Sequence, residues 1–192
     1  RNTIREYDEK IPKNLTAEEI LIRSGNIGSV RIGQKIGVDK FKSFLAKINV
    51  INEIDFDIEE VGKPIPFRWG KCKLATISFG HGITTTPLQL AKGYAIISNG
   101  GFDIKPSIIV NEKKKLFQYK KRLIKKTVSD DINSILRKIV STKDGTAGLA
   151  NVQGYEIGGK TGTAEKIVDG KYSSAKKINT FASVFPISKP KY

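Results

Sequence analysis

The chain has 192 residues and a formal charge of +15, with 39% apolar and 28% charged residues, which suits one globular domain with a real core rather than a disordered segment. No run reaches the ~20 apolar residues that a membrane-crossing helix needs, and no secretory leader pattern is present. One histidine (His81) and one cysteine (Cys72) rule out a His-rich metal site and an internal disulfide.

The charge invites a nucleic-acid reading, with basic clusters at Lys113-Lys114-Lys115, Lys120-Lys121-Arg122 and Lys125-Lys126. No nucleic-acid-binding motif accompanies them, so they read as a solvated surface, with attraction to an anionic wall polymer drawing on the same physics. The chain contains no Met and opens Arg1-Asn2-Thr3, as expected of a piece of a longer product with any membrane anchor outside it.

In chain order, Thr16 and Glu19 form a capping box that predicts a short helix from Ala17. Gly25 breaks it and leaves Ser24 and Asn26 on a tight loop. Residues 30–36 and 40–48 read as helical, with Phe41, Phe44, Leu45 and Ile48 on one face. Residues 50–68, with Pro64 and Pro66, read as loop.

Thr86 as N-cap and Pro87 at the first helical position start the clearest helix. Its apolar face is expected to be Leu88, Leu90, Ala91, Tyr94 and Ile97, and Gly100-Gly101 stops it. Residues 104–110 and 116–124 look like strands around a charged turn. Ser129 is expected to cap a further helix, with Asp130 and Asp131 in its first turn and Ile132, Ile135, Leu136, Ile139 and Val140 inward. Residues 163–168, the turn signal Asp169-Gly170 and a return strand over 178–185 predict a hairpin. Helices followed by an antiparallel hairpin make a mixed α/β domain of the α+β type.

The segment Gly158-Gly159-Lys160-Thr161-Gly162-Thr163 carries two incompatible readings. Counted from Gly154 it fits G-x-x-x-x-G-K-[ST], the phosphate-cradling P-loop. Read as Lys-Thr-Gly-Thr it is the third signature of penicillin-recognising serine acyltransferases. A P-loop needs an apolar strand before it and a helix opening at the Lys-Thr. The flanks here are polar, and strand, turn and strand follow. Alone, the tetrapeptide would be an ordinary Gly-rich turn before a hairpin.

Ser24-Gly25-Asn26 precedes Lys160-Thr161-Gly162-Thr163 in the order and rough spacing of the penicillin-binding transpeptidases. The text between them also resembles that family: Arg68-Trp69-Gly70, Leu74 through Ile83, Thr86-Pro87-Leu88-Gln89-Leu90-Ala91, Ser98-Asn99-Gly100-Gly101, and Asp144-Gly145-Thr146-Ala147. The chain thus resembles a class B penicillin-binding protein, nearest in wording to the cell-division (septal) branch, from about Leu21 to Tyr192. A D,D-carboxypeptidase or serine β-lactamase uses similar signatures, and the stretch from Arg68 to Gly101 favours the class B transpeptidases. A non-catalytic split-gene piece or relic is the alternative from another class.

The resemblance implies a penicillin-binding/serine β-lactamase-like transpeptidase fold, an antiparallel sheet with flanking helices that is incomplete at both ends. Residues 1–192 would be the C-terminal part of the domain. The implied reaction is serine acyl transfer on the D-Ala–D-Ala peptide of a peptidoglycan stem, with β-lactams acylating the same serine and no cofactor. Ser24 would relay a proton, Asn26 would bond the substrate amide, and Lys160 would supply fixed positive charge. Thr161 and Thr163 hydroxyls would bind the substrate carboxylate, the Thr163 backbone N–H would be an oxyanion donor, and Gly162 would keep the strand open.

The implied location is the bacterial periplasm, with an inner-membrane anchor elsewhere, division proteins as partners, and no nucleic acid. The family's Ser-x-x-Lys, which carries nucleophile and base, does not occur before Ser24. Matches at Ser173/Lys176, Ser174/Lys177 and Ser188/Lys191 follow Lys160 and read as chance. The chain alone is therefore expected to be inactive.

Overall fold

A computed structural model of the chain describes residues 3–58, 61–109, 121–168 and 171–192. Six α-helices, a short 3₁₀ turn at Gly148–Ala150 and one hairpin make up the regular structure of these residues: α1 Ala17–Ile22, α2 Asn26–Ile36, α3 Val38–Lys47, α4 Lys71–Ile77, α5 Pro87–Ser98, α6 Lys126–Ser141, β1 Gly158–Val168 and β2 Lys171–Val184. The strands pair antiparallel, with Lys160 opposite Ala182, Gly162 opposite Thr180 and Thr163 opposite Asn179. The register shifts between Glu165 and Lys166.

Helix α6 is the spine, packing on β1, α1 and α5. Its period puts Leu136, Ile139 and Val140 inward, where they meet Ile22 of α1, Ala147, Val184 of β2 and Ile187. Ile139 and Val140 are fully buried, and each such side chain contributes about 1.5–3 kcal/mol relative to exposure. A second cluster joins Ile48, Ile96 and Ile124.

The two capping boxes form as expected. Thr16 and Glu19 bond reciprocally at the start of α1, and Thr86 and Gln89 do so at the start of α5. The loop over 50–58 and 61–68 also has no helix or strand among its described residues.

Other expectations change. The face of α5 that is most deeply buried carries Gln89, Lys92, Gly93 and Ile96 rather than Leu90, Ala91 and Tyr94. Gln89 tolerates complete burial because its carboxamide is used at both ends, accepting from Thr86 N at 2.7 Å and donating to Asn52 O at 2.5 Å. Lys92 pairs with Asp103 at 3.5 Å. Leu90, Ala91 and Tyr94 instead line a cleft of about 1200 Å³ between α5 and β2, where burial raises the Tyr94 hydroxyl pKa to about 12.

Ser129 does not cap α6, which starts three residues earlier at Lys126. The Ser129 hydroxyl, fully buried, donates to Ile97 O and accepts from Gly100 N, closing the end of α5. A Lys126–Asp130 ion pair at 2.7 Å supports the extra turn.

The strands expected over 104–110 and 116–124 do not form in their described part, where one isolated bridge joins Phe102 to Arg122. Pro106 lacks a ladder donor, and Gly101 O is already shared by Leu123 N and Ile124 N. Residues 110–120 of that expectation, and the Asp169-Gly170 turn, lie outside the described residues. Strand β2 begins at Lys171, ahead of the expected 178, and α2 begins at Asn26, ahead of 30. Helix α4 has no counterpart in the sequence reading.

Candidate active site

Two elements distant in sequence meet at the site. Helix α1 ends at Arg23, whose backbone N–H still bonds to Glu19 O. Ser24 then takes a left-handed backbone, φ +56°, uncommon for a residue with a side chain. Gly25 follows as the N-cap of α2. The helices on either side approach closely: a Cβ on Gly28 would lie 2.6 Å from the Ile20 side chain.

Strand β1 brings Lys160 to this turn, and its ammonium bonds to the Ser24 hydroxyl and to Thr161 O at 3.1 Å. Burial lowers the Lys160 pKa from the ordinary lysine value, because desolvation disfavours the charged form. Strand alternation sets Thr161 and Thr163 on one face and Lys160 and Gly162 on the other.

Thr161 is partly buried and its hydroxyl bonds to that of Thr146 at 2.7 Å. Thr163 is exposed. A Cβ on Gly162 would lie 2.6 Å from Thr180 Oγ1, so a side chain there would have to displace that hydroxyl. Asn26, the first residue of α2, donates from its side chain to Arg5 O at 2.9 Å.

Ser24, Lys160 and Thr161 are thus joined into one cluster, while Asn26 flanks it without a hydrogen bond to Lys160 among the described residues. The cleft beside α5 and β2 contains none of the six candidate residues.

Sequence reasoning quoted the turn at 144–146 as part of the family resemblance but gave it no role at the site. Asp144 pairs with Arg23 at 2.7 Å, and Thr146 reaches Thr161. Gly145 between them sits on the α6 backbone, where a Cβ would lie 2.1 Å from Ile139 O. The 144–146 turn thus touches both sides of the site, Asp144 through Arg23 next to Ser24 and Thr146 through Thr161 next to Lys160. The Asp-Gly-Thr run was the available signal for it.

The phosphate-loop reading fails on this geometry. Lys160 and Thr161 lie inside strand β1, and no helix opens at them to face a phosphate.

A Lys-Thr-Gly-Thr strand of an antiparallel hairpin thus brings its lysine to a Ser-x-Asn turn between two helices. The match to known proteins is direct: the chain belongs to the penicillin-binding protein transpeptidase domain family, whose pattern it fits over residues 1–192. It is 30% identical over 210 aligned positions to the peptidoglycan D,D-transpeptidase FtsI homolog of Mesostigma viride, covering 93% of this chain and 34% of that protein.

Stage V sporulation protein D of Bacillus subtilis is 32% identical over 184 positions, covering 90% of this chain and 28% of that protein. The apo transpeptidase domain of Burkholderia pseudomallei penicillin-binding protein 3 superposes with a TM-score of 0.82 at 26% identity, covering 92% of this chain and 54% of that one. The chain spans about a third of the length of these curated relatives, and its fold is the α/β fold of penicillin-binding transpeptidase domains.

Proposed function

We propose that residues 1–192 are the C-terminal part of the transpeptidase domain of a peptidoglycan D,D-transpeptidase that works outside the cytoplasm in septal wall synthesis. The observation that carries this reading is the Lys160–Ser24 contact with Thr161 beside it. A positive charge supports a hydroxyl that both donates and accepts.

In the proposed reaction a serine hydroxyl attacks the D-Ala–D-Ala carbonyl, its proton passes through Ser24 to the leaving D-Ala nitrogen, and the peptide C–N bond breaks. An amine from a neighbouring stem then displaces the serine oxygen, leaving a crosslink and free enzyme. The Thr163 backbone N–H donates to the oxyanion, and Thr161 and Thr163 hold the carboxylate. Asn26 bonds the substrate amide. Penicillin acylates the same serine.

No Ser-x-x-Lys precedes Ser24, so the nucleophile is assigned to sequence outside residues 1–192. The membrane anchor and the contacts with division proteins are placed outside them as well. Residues 1–192 alone are expected neither to crosslink stems nor to form a penicillin adduct.

The test is labelling by a fluorescent penicillin, run side by side on the full gene product and on residues 1–192. Labelling of the full product alone supports the reading. Labelling of neither overturns it, and labelling of residues 1–192 overturns the placement of the nucleophile.

A further inference from the structure

Three consecutive residues with no recognisable motif, Arg5, Glu6 and Tyr7, hold the Ser24 turn from both sides. On one side the Tyr7 hydroxyl donates to Arg23 O at 2.9 Å. On the other, the Glu6 carboxylate accepts from Asn26 N at 2.6 Å and from Ile27 N at 3.0 Å. Arg5 O accepts from the Asn26 side chain at 2.9 Å. Ser24 lies between these anchored positions, in the left-handed conformation that lets its hydroxyl meet Lys160.

Each bond answers a need of the turn. The N-cap of α2 is Gly25, which has no side chain with which to cap the first amide groups. Glu6 supplies the missing acceptor from twenty residues upstream, and its negative charge suits the positive end of α2. A left-handed residue with a side chain persists where its surroundings over-determine it, and here both its neighbours are tied down. The Arg5 bond also fixes the Asn26 carboxamide. Glu6 and Tyr7 belong to neither apolar cluster, and Tyr7 is exposed.

We propose that Glu6, with Arg5 and Tyr7, is a positioning clamp for the candidate transpeptidase site, holding the Ser24 hydroxyl on Lys160 and the Asn26 carboxamide in its working orientation. The proposal rests on the reading given under Proposed function. Glu6 itself touches no reacting atom and acts through Ser24 and Asn26.

The experiment uses the full gene product and measures acylation by a fluorescent penicillin, separating the binding constant from the acylation rate constant. Glu6→Gln keeps the shape of the side chain but turns an amide NH₂ toward one backbone N–H. It is expected to lower the acylation rate constant by about 10- to 100-fold, the cost of small misplacements at a reacting centre, with binding within about twofold of wild type. Added to the Ser24→Ala, Asn26→Ala double variant, it is expected to cost less than about a further twofold, because Glu6 acts only through those two residues.

An acylation rate within about twofold of wild type, or losses that multiply in the triple variant, would overturn the proposal. Should Glu6→Gln fail to fold, Tyr7→Phe, which deletes a single hydroxyl, carries the same test in the same direction. If wild type itself is not acylated, the transpeptidase reading fails, and the clamp is judged by hydrogen exchange alone. Glu6→Gln must then speed exchange of the Asn26 and Ile27 amides by about tenfold or more, and unchanged protection overturns it.

Discussion

The ammonium of Lys160 bonds to the hydroxyl of Ser24 across 136 residues of chain. The contact joins the end of α1 to strand β1, and α6 makes it possible by packing on both. Lys160 also bonds locally to Thr161 O at 3.1 Å, but its pairing with Ser24 exists only in the folded chain.

If this pair relays a proton, removing either member should have much the same effect. Ser24→Ala and Lys160→Met in the full gene product are each expected to slow acylation by penicillin by about 10²–10⁴-fold, the usual range for one acid–base group. The double variant should be scarcely slower than the worse single one, since residues acting as a unit are not additive. Stopped-flow measurement of the second-order rate constant checks this, and multiplying effects would separate the two roles.

Lys160 also predicts a pH dependence of stability. Burial lowers its pKa in the folded chain below the ordinary value of 10.5. Between the lowered value and 10.5 the unfolded chain binds more protons than the folded one, so the lysine's contribution to stability rises with pH through that window. Below the window the folded chain holds the charged, desolvated form and the contribution is at its least favourable. In urea unfolding at stepped alkaline pH, the stability of wild type relative to Lys160→Met should climb as pH rises. A flat difference contradicts the desolvation.

Gly145 tests the bracket that leads to Thr161. Its α-carbon lies so close to α6 that an added methyl would sit 2.1 Å from Ile139 O and 2.6 Å from Ile139 C, against backbone that cannot swing aside. Gly145→Ala is therefore expected to cost about 3 kcal/mol or more, at or above the upper part of the overpacking range. Gly148→Ala, with nothing near its Cβ position, should cost less than about 1 kcal/mol. Urea midpoints of the two variants decide between a required glycine and an incidental one.

The buried Gln89 offers a test away from the site. Gln89→Leu strands Thr86 N–H and Asn52 O, each of which the carboxamide now satisfies. Each of these two bonds is worth about 0.5–1.5 kcal/mol net, so losing both should exceed the roughly 1 kcal/mol expected of Thr86→Ala at the cap itself. Thermal unfolding that ranks the two the other way round would contradict the burial of this side chain.

What was legible in the residues follows from the range of the forces involved. The Thr16–Glu19 and Thr86–Gln89 boxes span three residues, so both helix starts could be read directly. The inward stripe of α6 was equally plain, because Leu136, Ile139 and Val140 follow the helical period. Ser129 misled because serine followed by two aspartates is a local capping pattern, whereas its hydroxyl is claimed by Ile97 and Gly100 of another helix. On α5, periodicity favoured Leu90, Ala91 and Tyr94, yet the pairing of Gln89 with Asn52 drew the polar side inward.

By itself the sequence determined the starts of α1 and α5, the inward stripe of α6, a strand rather than a phosphate loop around Lys160, and the identity of Ser24, Asn26 and Thr161 as candidates. These rest on residue chemistry and spacing, which short-range sterics and hydrogen bonding translate into turns, caps and strands. Only the tertiary structure decided that Lys160 meets Ser24, that Thr146 holds Thr161, and that Glu6 and Tyr7 grip the turn from a stretch with no motif. Those partners lie 15 to 136 residues apart. Bonds over such separations form only when burial of the apolar clusters on α6 and α5 has already brought their backbones together.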